Sequence, residues 1–429
     1  MASSAAVESS EGTQRIPPFW RQGWLLGAAA LIPVNLAPSL LLVLLGIGRS
    51  YLRWGWEVFR DPLHRLALGL SLGVVAVALL GQDWQLSLPG MFNYWPFLLM
   101  MPVFARVLVG VVGRRRLAQV LVLGSWLMLL LGWGEVLWGW QGDLFLGPIW
   151  ITGVAGGERP AAAFTSPNIL AIYLVITLCL AAGLWLDQPR TGWRIWLGAT
   201  LGLGSLLLIL TASRNGWGAG ALVLLLGLGL RRCWWGLGIL IGLGSASLVA
   251  ALDWPGWRAV VPRLLWSRLA DTFDPQATYF SSTANRVDAW RFALEMVRER
   301  PLTGWGWQSF ADLYNAQNPP ELLGHCHNLY LHLAAEGGIP LLLGYLLLWG
   351  WILLQGLGAW RQSQEGVLLG ILLALGALFA SGLLDVVILD GRIHLMATLL
   401  LGAVLGASQE RQGTAPETEA TQMPRLDLP

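Results

Sequence analysis

Apolar residues run along this chain in long unbroken blocks, not in the alternations or narrow stripes of a water-soluble fold. Blocks able to cross about 30 Å of hydrocarbon at about 1.5 Å per residue fall near 24–48, 63–81, 92–111, 117–137, 166–186, 193–211, 213–230, 234–252, 328–355, 366–384 and 391–406. The first holds Pro33, Asn35 and Pro38, so it reads as one bent helix or as a hairpin of two short ones. The pattern predicts 11 or 12 spans. They must be helical, because a lone segment in lipid has to satisfy its own backbone. The expected fold is therefore an all-α, polytopic transmembrane helical bundle with one large external loop.

The polar positions divide the chain further. Residues 1–20 and 408–429 hold no long apolar block and are expected to form disordered tails. Between them lie a transmembrane region at 21–252, a large loop at 253–327 and C-terminal transmembrane helices at 328–407. The loop holds seven arginines and eight acids in 75 residues, a concentration that points to a folded, solvated cap and not a linker. Within it, Asn285 to Arg300 reads as an amphipathic helix, with Val287, Trp290, Leu294 and Val297 at helical spacing and Pro301 ending it. Its apolar stripe is expected to rest on the membrane domain. The turn Gly304-Trp-Gly-Trp307 follows, and a Pro/Asn-rich run leads to His325.

Composition agrees: 55% of residues are hydrophobic, 12% are charged and mean hydropathy is +0.59. A net charge of +2 argues against a nucleic-acid partner. The 27 basic residues are all arginine, and their positions set the orientation. Arg49, Arg53, Arg60 and Arg65 share one connection, Arg114 to Arg116 another, then Arg190 with Arg194, Arg231 with Arg232, and Arg361. Every second connection is basic, which marks the cytoplasmic side. The opposite connections, at 82–91, 138–165, 212, 253–327 and 385–392, face outward. The first apolar block has no small-residue cleavage site and is expected to stay on the chain. Cys179, Cys233 and Cys326 make no disulfide framework. The 26 tryptophans mostly flank apolar blocks, as an interfacial belt does.

Three residues on the outer side suit chemistry: Arg214 in Thr211-Ala-Ser-Arg-Asn-Gly-Trp, Arg286 at the head of the loop helix, and His327 in His325-Cys-His-Asn-Leu-Tyr. Singly, each has a plainer account. Arg214 suits snorkelling to headgroups, Arg286 a pair with Asp288, and His327 an interfacial cap. Together, two forked guanidinium donors suited to phosphate and an imidazole able to move a proton near neutral pH form the set that a lipid-phosphate transfer needs. His325 and His327 would share a face in an extended strand, but Cys326 lies between them and no clear carboxylate stands at ligand spacing. No metal site and no cofactor is expected. The glycines of Gly216-Trp-Gly-Ala-Gly220 fit helix packing better than a phosphate loop. Asp385, Asp390 and Arg392 form a small charged external turn that either joins the site or pairs among itself, and pairing is the favoured reading.

Over roughly residues 130–405 the chain resembles the O-antigen ligase and polymerase superfamily of membrane glycosyltransferases. The resemblance is carried by Phe164-Thr-Ser-Pro-Asn-Ile-Leu-Ala-Ile-Tyr, Leu210-Thr-Ala-Ser-Arg-Asn-Gly-Trp, Asn285-Arg-Val-Asp-Ala-Trp, Arg300-Pro-Leu-Thr-Gly-Trp-Gly-Trp-Gln-Ser-Phe, and His327-Asn-Leu-Tyr-Leu through Glu336-Gly-Gly-Ile-Pro. It implies about a dozen helices, one large periplasmic loop, and an active site of Arg214, Arg286 and His327. Asn215 stands where that family usually has glycine. The implied reaction is inverting, metal-independent transfer of a glycan from an undecaprenyl pyrophosphate carrier to an acceptor hydroxyl, at the periplasmic face of a bacterial inner membrane. The expected partners are a lipid-linked glycan donor and a lipid or glycan acceptor. Arg214 and Arg286 would neutralise the leaving group and His327 would act as general base. Asn328 and Glu336 are expected to hold the histidine or contact substrate, and Asn168 and Trp290, from the quoted motifs, join the expected substrate contacts. A rival is a cyanobacterial branch of the same superfamily, associated with inorganic-carbon (bicarbonate) accumulation and sharing the Ser-Arg motif and loop helix. Transport asks for ionisable groups at mid-membrane depth, whereas the blocks here are nearly free of charge.

Overall fold

The computed structural model describes residues 18–146, 149–154, 159–187, 190–271, 281–318, 322–411 and 413. Among them the apolar blocks form α1 (Pro18–Leu31), α2 (Leu36–Trp54), α3 (Pro62–Leu80), α4 (Trp84–Met91), α5 (Trp95–Val107), α6 (Val111–Trp138), α7 (Pro167–Asp187), α8 (Thr191–Leu210), α9 (Arg214–Leu230) and α10 (Trp234–Ala251). The outer loop contributes α11 (Trp257–Val260), α12 (Arg263–Ala270), α13 (Ser281–Glu299), α14 (Ser309–Gln317) and α15 (Leu329–Gly337). The chain then re-enters the bundle as α16 (Ile339–Ser363), α17 (Gly366–Ser381) and α18 (Gly391–Arg411). The architecture is an α-helical polytopic bundle, with one addition. A small antiparallel hairpin, β1 (Gly142–Leu146) and β2 (Ile149–Val154), lies in the connection between α6 and α7.

Among the described residues, eight helices are long and apolar enough to cross a membrane. Alongside them run four shorter apolar helices, α1, α5, α9 and α17, of 14, 13, 17 and 16 residues. The first apolar block is indeed split: Asn35 caps α2 by accepting from the Ala37 N–H at 2.9 Å, after a turn through Pro33. The block expected at 328–355 is also split. Gly338, at φ +82°, takes a conformation that L side chains rarely adopt and separates α15 from α16.

The centre of the bundle is α7 against α17, and small residues bring the two together. A Cβ on Gly183 would lie 2.6 Å from the Gly366 carbonyl, and one on Gly370 2.5 Å from that of Cys179. α18 is likewise almost wholly buried, whereas α10 turns most of its surface outward. The last helix also runs past residue 408, where a tail was expected. Ser408 and Gln409 are buried, and Glu410 pairs with Arg114 at 3.0 Å. Arg114 itself is buried and also binds Glu365 at 2.9 Å, so it ties the start of α6 to the start of α17 and the end of α18.

The outer loop has a core of its own, built from Ala289, Ala293 and Met296 of α13, Phe310 and Tyr314 of α14, Cys326, and Ala335 of α15. This corrects the expected stripe. Val287 and Leu294 are exposed, and the buried face runs through Ala289, Ala293 and Met296, where two alanines allow α13 to lie close on α15. Trp290 and Val297 flank that face. The Gly304-Trp-Gly-Trp turn fastens the cap to the bundle. Trp307 is 1% exposed and donates its indole N–H to the Val74 carbonyl and its backbone N–H to Ser87 Oγ, at 2.9 and 2.7 Å. Gly304 (φ +65°) sits where any Cβ would strike the Glu336 carbonyl.

Candidate active site

The basic connections gather at one end of the bundle, and at the opposite end α7, α9, α15 and α18 all begin. Helix N-termini carry partial positive charge and unsatisfied N–H groups, so this end favours anions. Arg214 is the first residue of α9, whose N-cap is Ser213, its Oγ accepting from Gly216 N–H at 3.2 Å. His327 stands just before α15, and Arg286 lies on the cap helix α13 near enough to act electrostatically on His325.

His327 meets a carboxylate that spacing along the chain had not revealed. Its Nδ1 lies 3.3 Å from Asp385 Oδ1, in the turn after α17. Asp385 is 5% exposed, and its oxygens are filled from several sides. Val386 N–H donates to Oδ1 at 2.9 Å, Asn168 Nδ2 donates to Oδ2 at 3.4 Å, and His325 Nε2 stands 3.8 Å from Oδ1. Burial alone would raise this carboxyl, but the hydrogen bond from His327 and the field of the two histidines bring it below the ordinary carboxylate range, so it is ionised. With Nδ1–H given to Asp385, Nε2 of His327 carries the ring's lone pair, the arrangement in which an aspartate orients a histidine base.

Asn168 links this pair to the Arg214 turn. Its Oδ1 accepts from Arg159 at 3.1 Å, and Arg159 also donates through Nε to the Thr211 carbonyl at 2.6 Å, three residues before Arg214. Asn215 adds a second tie, donating to the carbonyl of Ser381, four residues before Asp385. A cavity of about 710 Å³ opens here, walled in part by Asn168, His325, His327, Asp385, Asp390 and Arg392. Neither Arg214 nor Arg286 belongs to that wall; Arg286 acts electrostatically on His325, which does, and the turn before Arg214 is tied to it through Arg159 and Asn168. Three non-glycine residues around it, Ala162, Ala212 and His327, have φ of 51°, 48° and 54°. Left-handed backbone of this kind costs about 1–3 kcal/mol each and concentrates at functional sites.

The expected metal-free reading meets a geometric alternative. His325, His327 and Asp385 each place one ligand atom within 4.8 Å of the others. Hydrogen bonding accounts for the same geometry: the His327 backbone N–H donates to His325 Nδ1 at 3.2 Å, which leaves the proton of a neutral His325 on Nε2, facing Asp385. Burial pushes His325 down to about 4, so that ring is neutral near pH 7.

Other expected residues stand elsewhere. Asn328 does not hold His327. Its Oδ1 caps α15, accepting from Tyr330 and Leu331 at 3.0 Å each, and its Nδ2 donates to the Leu383 carbonyl at 3.1 Å. Glu336 is fully buried and faces His332 at 3.4 Å, not His327. Trp290 packs into the cap core. Asp390 and Arg392 do pair, through contacts of 3.1 and 2.8 Å, but this fork occupies Asp390 and leaves Asp385 to the histidines. Sequence reasoning missed two residues. Asp385 was assigned to the wrong partner, and Arg159 was passed over although it is the sole arginine of the outer connection 138–165, against the charge asymmetry of the rest.

The fold and site define a multi-pass helical membrane protein with an anion-favouring polar cluster around a carboxylate-oriented histidine at one end. Residues 198–346 match the family model described as O-antigen ligase, from α8 into α16, a stretch that includes Arg214, Arg286 and His327. This match supports the resemblance of the chain to the O-antigen ligase and polymerase superfamily, over the stretch that carries the candidate site. No curated protein matches the chain.

Proposed function

We propose that this protein transfers a glycan from an undecaprenyl pyrophosphate carrier to an acceptor hydroxyl, with inversion and without a metal ion, on the periplasmic side of an inner membrane. The observation that carries this reading is the His327–Asp385 pair on a cavity walled in part by Arg392 and by residues at the starts of α7 and α18. The acceptor hydroxyl gives its proton to His327 Nε2 while its oxygen bonds to the anomeric carbon from the face opposite the carrier. The bond from that carbon to the pyrophosphate oxygen breaks, and the oxygen leaves with the electron pair. Arg214 and Arg286 take up the charge that builds on it, and Asp385 stabilises the imidazolium. Arg159 and Asn168 position the Arg214 turn against Asp385.

The test is transfer by the purified protein in proteoliposomes. His327→Ala is expected to lower the rate about 10²- to 10⁴-fold, and EDTA is expected to leave the parent rate unchanged. Full activity in His327→Ala removes the base, and a rate abolished by EDTA and restored by a divalent ion moves the three-residue cluster to metal chemistry. In a deletion strain, unattached chains identify a ligase and single repeat units a polymerase. Unchanged glycans with impaired bicarbonate uptake replace transfer by transport.

A further inference from the structure

A second cavity, of about 550 Å³, lies beside the first at the same end of the bundle, between α4, α14 and α15. Leu389 belongs to both walls, and the imidazoles of His325 and His332, one on each cavity, are 6.5 Å apart between centroids. The volume lies within the range of about 300–1,000 Å³ usual for small-molecule sites.

Its wall differs in kind from that of its neighbour. Among the described residues lining it none is an arginine, and the polar groups are Asn93, Tyr94, Gln308, Asp312, Asn315, His332 and Glu336. Two residues of this wall, Tyr94 and His332, 6% and 3% exposed, each keep a buried polar atom with no hydrogen-bond partner among the described residues, Tyr94 Oη and His332 Nδ1. An unpartnered buried polar atom costs about 1–3 kcal/mol, so the wall holds hydrogen-bonding capacity that the protein itself leaves unused. Burial holds His332 down to about 3 and Glu336 up to about 8, which leaves both uncharged near neutral pH. Asp312 is then the carboxylate of the wall. An anion would find no cation to meet it, while a neutral ligand dense in hydroxyls matches amides, a phenol, an imidazole and a protonated carboxyl, which donate and accept, and the Asp312 carboxylate, which accepts.

We infer that this second cavity is a subsite for an uncharged sugar unit, holding a saccharide while the reacting bond lies in the adjoining cavity. The inference rests on the glycosyl-transfer reading and names the part of the substrate that this region would bind. The sugar belongs either to the acceptor or to the donor glycan, and kinetics separate the two.

Binding is measured by saturation-transfer difference NMR on the detergent-solubilised full chain, with glucose, galactose, mannose and N-acetylglucosamine as probes. At least one is expected to give signal in both the parent and His327→Ala, and inorganic pyrophosphate is not expected to displace it. Ala311→Trp, which sets an indole into the cavity, should abolish that signal. Asp312→Ala, at an exposed position that tolerates change, should weaken it at least fivefold. Absence of signal from all four sugars, or equal signal in both variants, overturns the inference whether or not the protein transfers glycans. In the transfer assay, Asp312→Ala should raise KM at least fivefold for one substrate only, with kcat within about threefold. If the acceptor's KM rises, the subsite is the acceptor's. If the donor's rises, it is the donor's. An unchanged KM for both refutes a role in transfer.

Discussion

Replacing Asp385 by asparagine tests the site at its most informative point, because shape is kept while charge is removed. The carboxylate accepts from Val386 N–H at 2.9 Å, from Asn168 Nδ2 at 3.4 Å and from His327 Nδ1 at 3.3 Å, so every group facing it is a donor. An amide must set its NH₂ against one of them. If the NH₂ turns to His327, Nδ1 becomes the acceptor, the ring proton moves to Nε2, and the lone pair needed by the substrate is lost. If it turns to Asn168, that amide cannot rotate in response, because its Oδ1 is held by Arg159. His327 then keeps its tautomer but loses the charge that would stabilise its imidazolium. A unit charge pair at 3.3 Å is worth at most about 5 kcal/mol at an effective dielectric of about 20. Screening and the surviving hydrogen bond reduce this to about 3–4 kcal/mol, or a fall of about 10²- to 10³-fold in rate. The assay is initial-rate transfer in proteoliposomes for Asp385→Asn, His327→Ala and the double variant, with thermal stability measured alongside. Two residues acting as one unit should not add, so the double variant should be no slower than His327→Ala. Additive losses, or Asp385→Asn within threefold of the parent, would refute the pairing.

Arg214→Lys and Arg286→Lys should each lose transfer at least tenfold, because a point-charge ammonium does not replace a forked guanidinium on a diphosphate; the kinetics with a lipid-linked donor decide it. Asn328→Ala should lower stability by about 0.5–2 kcal/mol through loss of the α15 cap, with Asn328→Ser restoring the melting temperature, whereas a direct substrate contact would not be rescued by serine. The carboxyl of Glu336, raised to about 8 by burial, binds a proton in the folded state that the unfolded chain has already released. The stability it contributes is complete below the ordinary carboxylate range and is lost as pH rises through about 8. Between pH 6.5 and 8 this is roughly 2 kcal/mol at about 1.36 kcal/mol per unit. The lowered histidines, His325 and His332, act in the opposite sense but only below their unfolded value of about 6.5. Melting temperature should therefore fall from pH 6.5 to 8.5 in the parent and stay flat in Glu336→Gln.

Hydropathy made the bundle legible, since it depends on residue type integrated over 20 or so positions. Features set by one atom meeting another were not. Asp385, Asp390 and Arg392 look like one charged turn in sequence, yet Arg392 closes a two-point contact on Asp390 and sends its third nitrogen to the Ala163 carbonyl at 2.8 Å. Asp385 is thereby left to a histidine 58 positions away. The α13 stripe was misread because large apolar residues were weighed above alanine, while the buried face runs through Ala289 and Ala293, where close approach matters more than area. Asn328 follows the key histidine and so looked like its support, but its torsions and Oδ1 belong to the start of α15 and its Nδ2 to the Leu383 carbonyl.

The arginine of the α9 turn, the cap arginine and the histidine come from segments far apart in sequence, and none is held by its own helix alone. The turn before Arg214 is fixed by Arg159, which is fixed by Asn168, which donates to the same carboxylate that orients His327. Left-handed backbone at Ala162, Ala212 and His327 lies on these same segments. A strained turn persists only where its surroundings over-determine it, and here the surroundings are the close glycine-mediated contact of α7 with α17, which carries Asn168 at one helix start and Asp385 just past the other helix end. The rigid core of the bundle thus sets the register between the base and the Arg214 turn. Arg286, on a cap helix fastened through the Trp307 anchor and α15, is attached by a separate and smaller core. His327 meets that smaller core through its neighbour Cys326 and the bundle through Asp385, so the base is the point at which the cap that carries Arg286 and the bundle that carries the Arg214 turn are joined.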